Sequence, residues 1–358
     1  MALSARADTS ATADVLAHSL QQIWARRGLS AWALRPLAAL YGILHSLNRA
    51  AYRFGLCYVA HLDVPVLVVG NLVVGGGGKT PVVMALARAL QCQGFRPGLV
   101  SRGYGRQSKD CREVHTSDAP RDVGDEALLL RLRTQLPVFV ARRRADAARQ
   151  LLRCYPDCDV IISDDGLQHF ALHHDLAVCV FDDRLAGNGW LLPAGPLRER
   201  STQVDWVLHT RRPSAALPVK IRVASHPISR HLANRVVRRD GTTRPLADFV
   251  GQPAAALAGI ARPSAFFDML RQSGIDLTHT ISLPDHYNFD RWKPLLDMPK
   301  LLFCTEKDAQ KLWPIAPQAW AVPLEADLPP LFVREVIGQL RQLPRGPRVS
   351  QGTVPGST

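Results

Sequence analysis

Val66-Leu67-Val68-Val69-Gly70-Asn71-Leu72-Val73-Val74-Gly75-Gly76-Gly77-Gly78-Lys79-Thr80-Pro81 is the stretch whose reading decides the fold. A β-branched apolar run enters four consecutive glycines, and Lys-Thr then opens the apolar stretch Val82–Leu90. That order reads as strand, glycine-rich turn and helix, in which backbone N–H groups and a helix N-terminus cradle phosphate. Glycines admit φ values that a Cβ forbids. The Lys79 ammonium would neutralise phosphate charge, and the Thr80 hydroxyl would hold a Mg²⁺ carried by the nucleotide. The pattern is the shortened G-G-x-G-K-T over Gly75–Thr80, because Val73 stands where the longer form has its first glycine. The plain alternative is a glycine-rich β-turn with a chance Lys-Thr. Strand, loop and helix in the required order favour a nucleotide-phosphate site, with ATP as the expected ligand.

Outward from the loop, strands and helices keep alternating. Arg96–Val100 leads into the basic loop Ser101-Arg102-Gly103-Tyr104-Gly105-Arg106. Gly124-Asp125-Glu126-Ala127 opens a helix, Pro137–Val140 is a short strand, and Arg142–Arg144 precede an Ala-rich helix over 145–154. Asp159–Ile162 runs as a buried strand into Ser163-Asp164-Asp165-Gly166, and Leu176–Phe181 is another. Such alternation predicts an α/β fold with a parallel sheet covered on both faces. Ligands of such sheets bind at the carboxyl ends of the strands. Gly75–Thr80, Ser101–Gly105 and Asp164–Asp165 all leave at that edge, which makes them one site.

At 358 residues the chain has room for two domains of ordinary size, and its 47% apolar composition is globular. A net charge of +13 points to acidic partners: nucleotide phosphates, an anionic leaflet, a phosphorylated substrate or nucleic acid. Seven scattered cysteines imply no disulfide framework, so a reducing, cytoplasmic setting is expected. Cys154 and Cys158, even with His169, His173 and His174 nearby, lack a second pair at metal-binding spacing.

Residues 1–14 are expected to be a disordered tail without the layout of a secretory signal. Within 15–60, Trp32, Leu34, Leu37, Leu40, Tyr41, Leu44, Leu47, Ala51 and Phe54 recur at helical spacing, flanked by Arg26, Arg27, Arg35, Arg49 and Arg53. Its uncharged run, Pro36–Asn48, is shorter than the ~20 residues a bilayer span needs. The helix therefore either lies in a membrane interface or packs on its own domain. A phosphate-loop domain is expected over 61–212 and a smaller α/β domain over 213–342, with a disordered tail at 343–358. Residues 211–250 are basic, Pro-dotted and weakly periodic, which places the junction near 212.

Several side chains carry alternative readings. Asp164 and Asp165 are either a Mg²⁺-holding pair or turn residues. Asp125 is either a helix N-cap or a base that takes a hydroxyl proton. His286, in Pro284-Asp285-His286-Tyr287-Asn288-Phe289, is either solvated or meets Asp125 across a cleft. Thr305-Glu306-Lys307-Asp308 is at least a capping arrangement. Arg142–Arg144 form either a solvated face or a phosphate dock.

Taken together, the segments resemble the tetraacyldisaccharide 4'-kinase family. The matching stretches are VVGNLVVGGGGKTPVV (68–83), SRGYG (101–105), GDEALL (124–129), SDDGLQH (163–169), GNGWLLPAGPLRE (187–199), LPDHYNF (283–289) and TEKDA (305–309), in family order over roughly residues 20–325. The resemblance implies a two-domain phosphate-loop fold, with ATP and Mg²⁺ meeting the 4'-hydroxyl of a lipid A disaccharide precursor in the cleft. It implies Gly75, Gly76, Gly77, Gly78, Lys79 and Thr80 on the nucleotide, and Thr80, Asp164 and Asp165 on the metal. Asp125 becomes the catalytic base, supported by His286. Tyr104, Arg144, Gln168, His169, Arg198 and Glu199 would line the substrate side. It also implies an N-terminal helix at the cytoplasmic face of a Gram-negative inner membrane, monotopic or peripheral. Neither nucleic acid nor a protein partner is implied. The rivals are a membrane-surface ATPase switch, which would move no label from ATP into lipid, and a nucleic-acid-stimulated ATPase.

Overall fold

The computed structural model describes residues 20, 23–75, 78–200, 202–210, 219–293 and 297–344; the expected tail over 1–14, that over 343–358 beyond residue 344, Gly76 and Gly77 lie outside them. Helices α1 (Leu29–Ala33) and α2 (Arg35–Arg53) precede β1 (Val66–Gly70) and α3 (Lys79–Cys92). The chain continues through β2 (Pro97–Ser101), β3 (Arg112–Glu113), α4 (Pro120–Val123), α5 (Asp125–Thr134), β4 (Val138–Val140), α6 (Arg144–Cys154), β5 (Val160–Asp164), β6 (Leu176–Phe181), β7 (Thr202–His209) and β8 (Val219–Pro227). These strands form one sheet in the order β3-β4-β2-β5-β1-β6-β7-β8, with only β3 antiparallel to its neighbour.

A second unit follows: β9 (Ser229–Leu232), β10 (Arg235–Val237), β11 (Thr243–Pro245), β12 (Pro253–Ala258), α7 (Pro263–Gln272), β13 (Asp276–Ser282), β14 (Leu302–Thr305), α8 (Glu306–Leu312), β15 (Trp320–Val322), β16 (Leu324–Asp327) and α9 (Pro330–Gln342). Its six-stranded sheet has the order β11-β10-β15-β14-β12-β13, and β16 pairs separately with β9.

The period-2 alternation of a strand explains the two cores of the first unit. Leu67 and Val69 of β1 pack with Val82, Leu86 and Leu90 of α3 and Leu128 of α5. Val66 and Val68 pack on the opposite face with Ala145, Ala147 and Ala148 of α6 and Ala38 of α2. β12 repeats the scheme with small side chains: Ala254 and Ala256 meet Phe266 and Leu270 of α7, while Ala255 and Leu257 meet Ala309 and Leu312 of α8.

The expected junction near 212 falls inside the first sheet, which takes in β8 up to Pro227. A lone β7 would leave a row of unpaired backbone groups at the sheet edge, and β8 pairs them. The chain also returns at its end: Phe332, Val336 and Leu340 of α9 join the core of the first unit. There the Trp206 ring meets Phe332 edge-on at 5.8 Å, and its indole N–H donates to Glu335 at 2.8 Å. Within 219–250, β9, β10 and β11 run only three or four residues, too short to show a period.

Among the described residues no helix is long and apolar enough to cross a membrane. α2 buries Ala38 and Gly42 against the first unit and exposes Leu37, Leu40, Ile43, Leu44 and Leu47, each more than half accessible.

Gly70 closes β1 beneath the buried Leu167, and a Cβ there would stand 2.7 Å from Leu167 Cγ and 3.1 Å from its Cβ. Gly70→Ala is expected to cost about 1–3 kcal/mol of stability through this overpacking. Denaturant unfolding checks it: adding Leu167→Ala should recover part of the loss, which a clash elsewhere would not allow.

Candidate active site

The phosphate loop starts from backbone that only glycine adopts freely: Gly75 has φ 91° and Gly78, the residue before α3, has φ 69°. Lys79 begins α3, and its Nζ lies 3.2 Å from Asn71 Oδ1 and 3.2 Å from Asp165 Oδ1. Thr80 follows on the same first turn, partly buried. Two arginines that no motif announced stand over the loop. A Cβ on Gly78 would collide with the Arg230 guanidinium of β9, and one on Gly75 would meet Arg184 Nη1 at 3.2 Å. Arg184 is gripped by Asp182 (Nη2 to Oδ2 2.7 Å), and Arg262 reaches Asp183 at 3.4 Å. Only the overall basic charge hinted at this cluster.

Asp164 ends β5 opposite Val69 of β1, beside the loop. Asp165 follows in the left-handed region (φ 51°), and its N–H donates to the Val69 carbonyl at 2.8 Å. The two carboxyls then diverge. Asp165 accepts from Arg198 Nη1 at 3.1 and 3.0 Å as well as pairing with Lys79. Burial opposes its charge, but Lys79 and Arg198 outweigh it and hold the carboxyl down at about 2. Asp164 is 2% exposed and its Oδ1 has no hydrogen-bond partner among the described residues. Burial, with Glu126 repelling it, pushes that carboxyl up to about 7.

Arg144 sits behind this pair. Its guanidinium is buried and donates to the backbone carbonyls of Asp164 (3.1 Å) and Asp165 (2.7 Å), so it braces the turn from within. Gln168 links three stretches: its amide N–H donates to the Asn71 carbonyl and to Glu199 Oε1, both at 3.0 Å, and its oxygen accepts from Arg198 at 3.2 Å. Glu199 is buried, which pushes its carboxyl up, and its other oxygen lies 3.7 Å from Arg49 of α2. His169 is held neutral by burial and by Arg144, which push it down to about 4, and its Nε2 has no partner among the described residues.

A second cluster faces the first across the two units. Gly124 (φ 93°) precedes α5 where a Cβ would stand 2.9 Å from the backbone of Gly103 and Tyr104, so the Ser101–Gly105 loop rests directly on the helix start. Asp125, the first residue of α5, meets His286 Nδ1 through Oδ2 at 3.2 Å. Lys311 Nζ reaches the same oxygen at 2.7 Å. His286 itself has φ 62°, a costly conformation for a non-glycine residue that recurs at functional sites. The Tyr104 ring lies 4.9 Å from the imidazole, and Lys307 Nζ is 3.2 Å from Nε2. Burial would raise the Asp125 pKa, but the His286 hydrogen bond and the Lys311 charge together lower it. Glu126, overlooked in the sequence although adjacent to Asp125, joins the clusters: it repels Asp164 and pairs with Lys307 at 3.4 Å.

Because folding raises the Asp164 pKa, the folded state binds its proton more tightly, and this group's contribution to stability falls as pH rises from about 4 to about 7. Asp164→Asn is expected to flatten that part of the fall. Thermal unfolding of both proteins between pH 5 and pH 8 measures it, and parallel curves would show that Asp164 is not the group responsible.

The sequence model of the family described as tetraacyldisaccharide-1-P 4'-kinase matches residues 30–341. A protein named tetraacyldisaccharide 4'-kinase in Acidovorax ebreus is 50% identical over 330 residues, covering 92% of this chain and 96% of the relative. One of the same name in Delftia acidovorans is 47% identical, covering 93% and 97%. Among solved structures, LpxK from Aquifex aeolicus, crystallised in complex with ATP, is similar with a TM-score of 0.73 and 27% identity, over 87% of this chain and 99% of that one. The mixed α/β architecture with its parallel sheet matches that structure. The chain belongs to the tetraacyldisaccharide-1-P 4'-kinase family and is an ATP-dependent 4'-kinase of lipid A biosynthesis.

Proposed function

We propose that Asp125 accepts the proton of the attacking 4'-hydroxyl while His286 holds and polarises that carboxylate. The observation that carries this reading is the 3.2 Å contact between them, made by residues 161 positions apart from two different units. In the reaction the sugar oxygen bonds to the γ-phosphorus of ATP, the bond to the β-phosphate oxygen breaks, and the hydroxyl proton passes to Asp125. Positioning and charge neutralisation supply most of the acceleration in phosphoryl transfer. Lys79 and the backbone N–H groups of the Gly75–Gly78 loop suit the nucleotide phosphates. Tyr104, Gln168, His169, Arg198 and Glu199 suit the polar groups of the disaccharide.

The donor set also fits Mg²⁺, a hard cation that takes oxygen ligands. Among the described residues the buried Oδ1 of Asp164 has no hydrogen-bond partner, whereas Asp165 is already neutralised by Lys79 and Arg198. We therefore assign Asp164 and Thr80 as the direct ligands and Asp165 as the clamp that aims Lys79. When bound, the ion would supply neutralisation of phosphate charge.

The same reading places the enzyme on a bilayer, at the cytoplasmic face of the inner membrane where its glycolipid substrate would be reached. The exposed stripe Leu37, Leu40, Ile43, Leu44 and Leu47 continues into Leu29, Trp32, Phe54 and Leu56, all exposed. Arg53 and Arg35 flank it, and each arginine near an anionic surface would contribute about 1 kcal/mol. The protein-facing side of α2 touches the site through Tyr41, whose hydroxyl donates to the Arg198 carbonyl at 2.7 Å, and Arg49 beside Glu199. A membrane-seated α2 would thus hold the acceptor side of the site at the lipid surface.

Asp125→Asn is expected to lower kcat by about 10²–10⁴-fold with ATP binding retained. Transfer of labelled phosphate from ATP to the disaccharide lipid in detergent, beside a nucleotide-binding titration, measures both; equal losses in the two would assign Asp125 a structural role. Leu40→Glu with Leu44→Glu should release the protein from anionic vesicles in a sedimentation assay while detergent-assayed activity persists. Unchanged sedimentation would remove α2 from the membrane contact.

A further inference from the structure

Helix α8 is built around the His286 loop. Its cap, Thr305, accepts through Oγ1 from the Asp308 N–H at 3.2 Å. The Asp308 carboxylate accepts from the Gly259 N–H at 2.9 Å, and the Gly259 carbonyl accepts from the His286 N–H at 3.2 Å. This bond chain supports the left-handed backbone of His286. From the same helix, Lys307 Nζ lies 3.2 Å from His286 Nε2, 2.9 Å from Asp285 and 3.4 Å from Glu126. Lys311 Nζ, about one turn on, lies 2.7 Å from Asp125 Oδ2.

An ammonium has donors only, so the His286 Nε2 facing Lys307 must be the lone-pair nitrogen. The imidazole proton is then on Nδ1, where it donates to Asp125 Oδ2. Lys307 stays an ammonium: burial opposes its charge, but Glu126, Asp285 and Asp125 outweigh that and raise its pKa. His286 and Lys311 both occupy Oδ2, so neither contact takes Oδ1.

We propose that Lys307 and Lys311 are positioning residues for the transfer step: Lys307 fixes His286 as the Nδ1–H tautomer, and Lys311 holds Asp125 ionised through Oδ2, leaving Oδ1 for the hydroxyl proton. This inference rests on the roles given above to Asp125 and His286. The groups facing the couple are Lys307 and Lys311 from α8, Glu126 from α5, Asp285 from the loop after β13, and Tyr104 from the loop after β2.

Lys311→Met in the full-length enzyme is expected to lower kcat about tenfold or more while leaving the KM for ATP within about twofold. The acidic limb of its kcat–pH profile should move up by about one unit as the cation beside Asp125 is lost, and Lys311→Arg should restore most of both. With ¹⁵N-labelled histidine, Lys307→Met should lose the Nδ1–H pattern of the His286 resonances, assigned from their absence in His286→Gln. A KM for ATP that rises as much as kcat falls, an acidic limb that stays in place, or an unchanged His286 tautomer would overturn the inference. Asp125→Asn in the same assay separates the two levels. If it keeps full kcat, the reading of the site fails; if it loses kcat while both lysine variants keep theirs, only the role of α8 fails.

Discussion

Two adjacent carboxylates at the end of β5 impose the constraint on which the site depends. A charge moved out of water must be paired and hydrogen-bonded, or it neutralises. Both outcomes occur within two residues. Asp165 keeps its charge because Lys79 and Arg198 converge on it, at 3.2 and 3.0 Å. Asp164, inside the sheet edge with no partner on Oδ1 among the described residues, is pushed toward protonation. The cations come from the phosphate loop and from the Gly187–Glu199 stretch, while Arg144 bonds the backbone between them. Pairing one aspartate therefore assembles three stretches of chain that are far apart in sequence.

The second unit meets the first through ion pairs as well as through apolar packing of Ala326 and Leu328 on the first core. Arg133 of α5 bonds Glu306 of α8 at 2.6 Å and Glu325 of β16 at 3.0 Å, and Arg262 reaches Asp182 and Asp183 beside the phosphate loop. Lys311 and Lys307 add pairs to Asp125 and Glu126. Relative motion is the default for domains that meet through polar surfaces. A further apolar tie is covalently distant: α9 crosses back to pack on Trp206, so the second unit is bracketed by β8 at its start and α9 at its end.

The N-terminal helix reconciles the two readings open to its sequence. Ala38 and Gly42 are small because the first unit lies against them: a Cβ on Gly42 would stand 2.8 Å from Leu191 Cδ1. The large residues point away. An apolar stripe wider than the packed one, left in solvent beside arginines, is what an interfacial helix needs. Its packed face reaches the candidate site through Arg198 and Glu199.

Much of this was legible in the residues themselves. β-Branched runs that end in glycine or acidic residues, separated by helical periods, specify parallel strands and the edge where loops collect, because side-chain period and connection hand are local properties. The phosphate loop, the acidic pair and the Asp125 helix start were readable for the same reason. The junction near 212 was misplaced because pairing of β8 with β7 is a contact between strands whose short neighbours carry no period. The sequence shows that Arg144 is charged but not which way it points; in the fold it is buried and bonds two carbonyls. Arg230, Glu126, Lys307 and Lys311 gained their places only when the two units met, since a charge shows its role by what it faces. Sequence alone determined the parallel strands and the sheet edge at which the candidate residues collect. Tertiary structure alone decided which oxygen of which aspartate is paired, because pairing depends on distances of a few ångströms between residues from 33 (Asp165 and Arg198) to 186 (Asp125 and Lys311) positions apart.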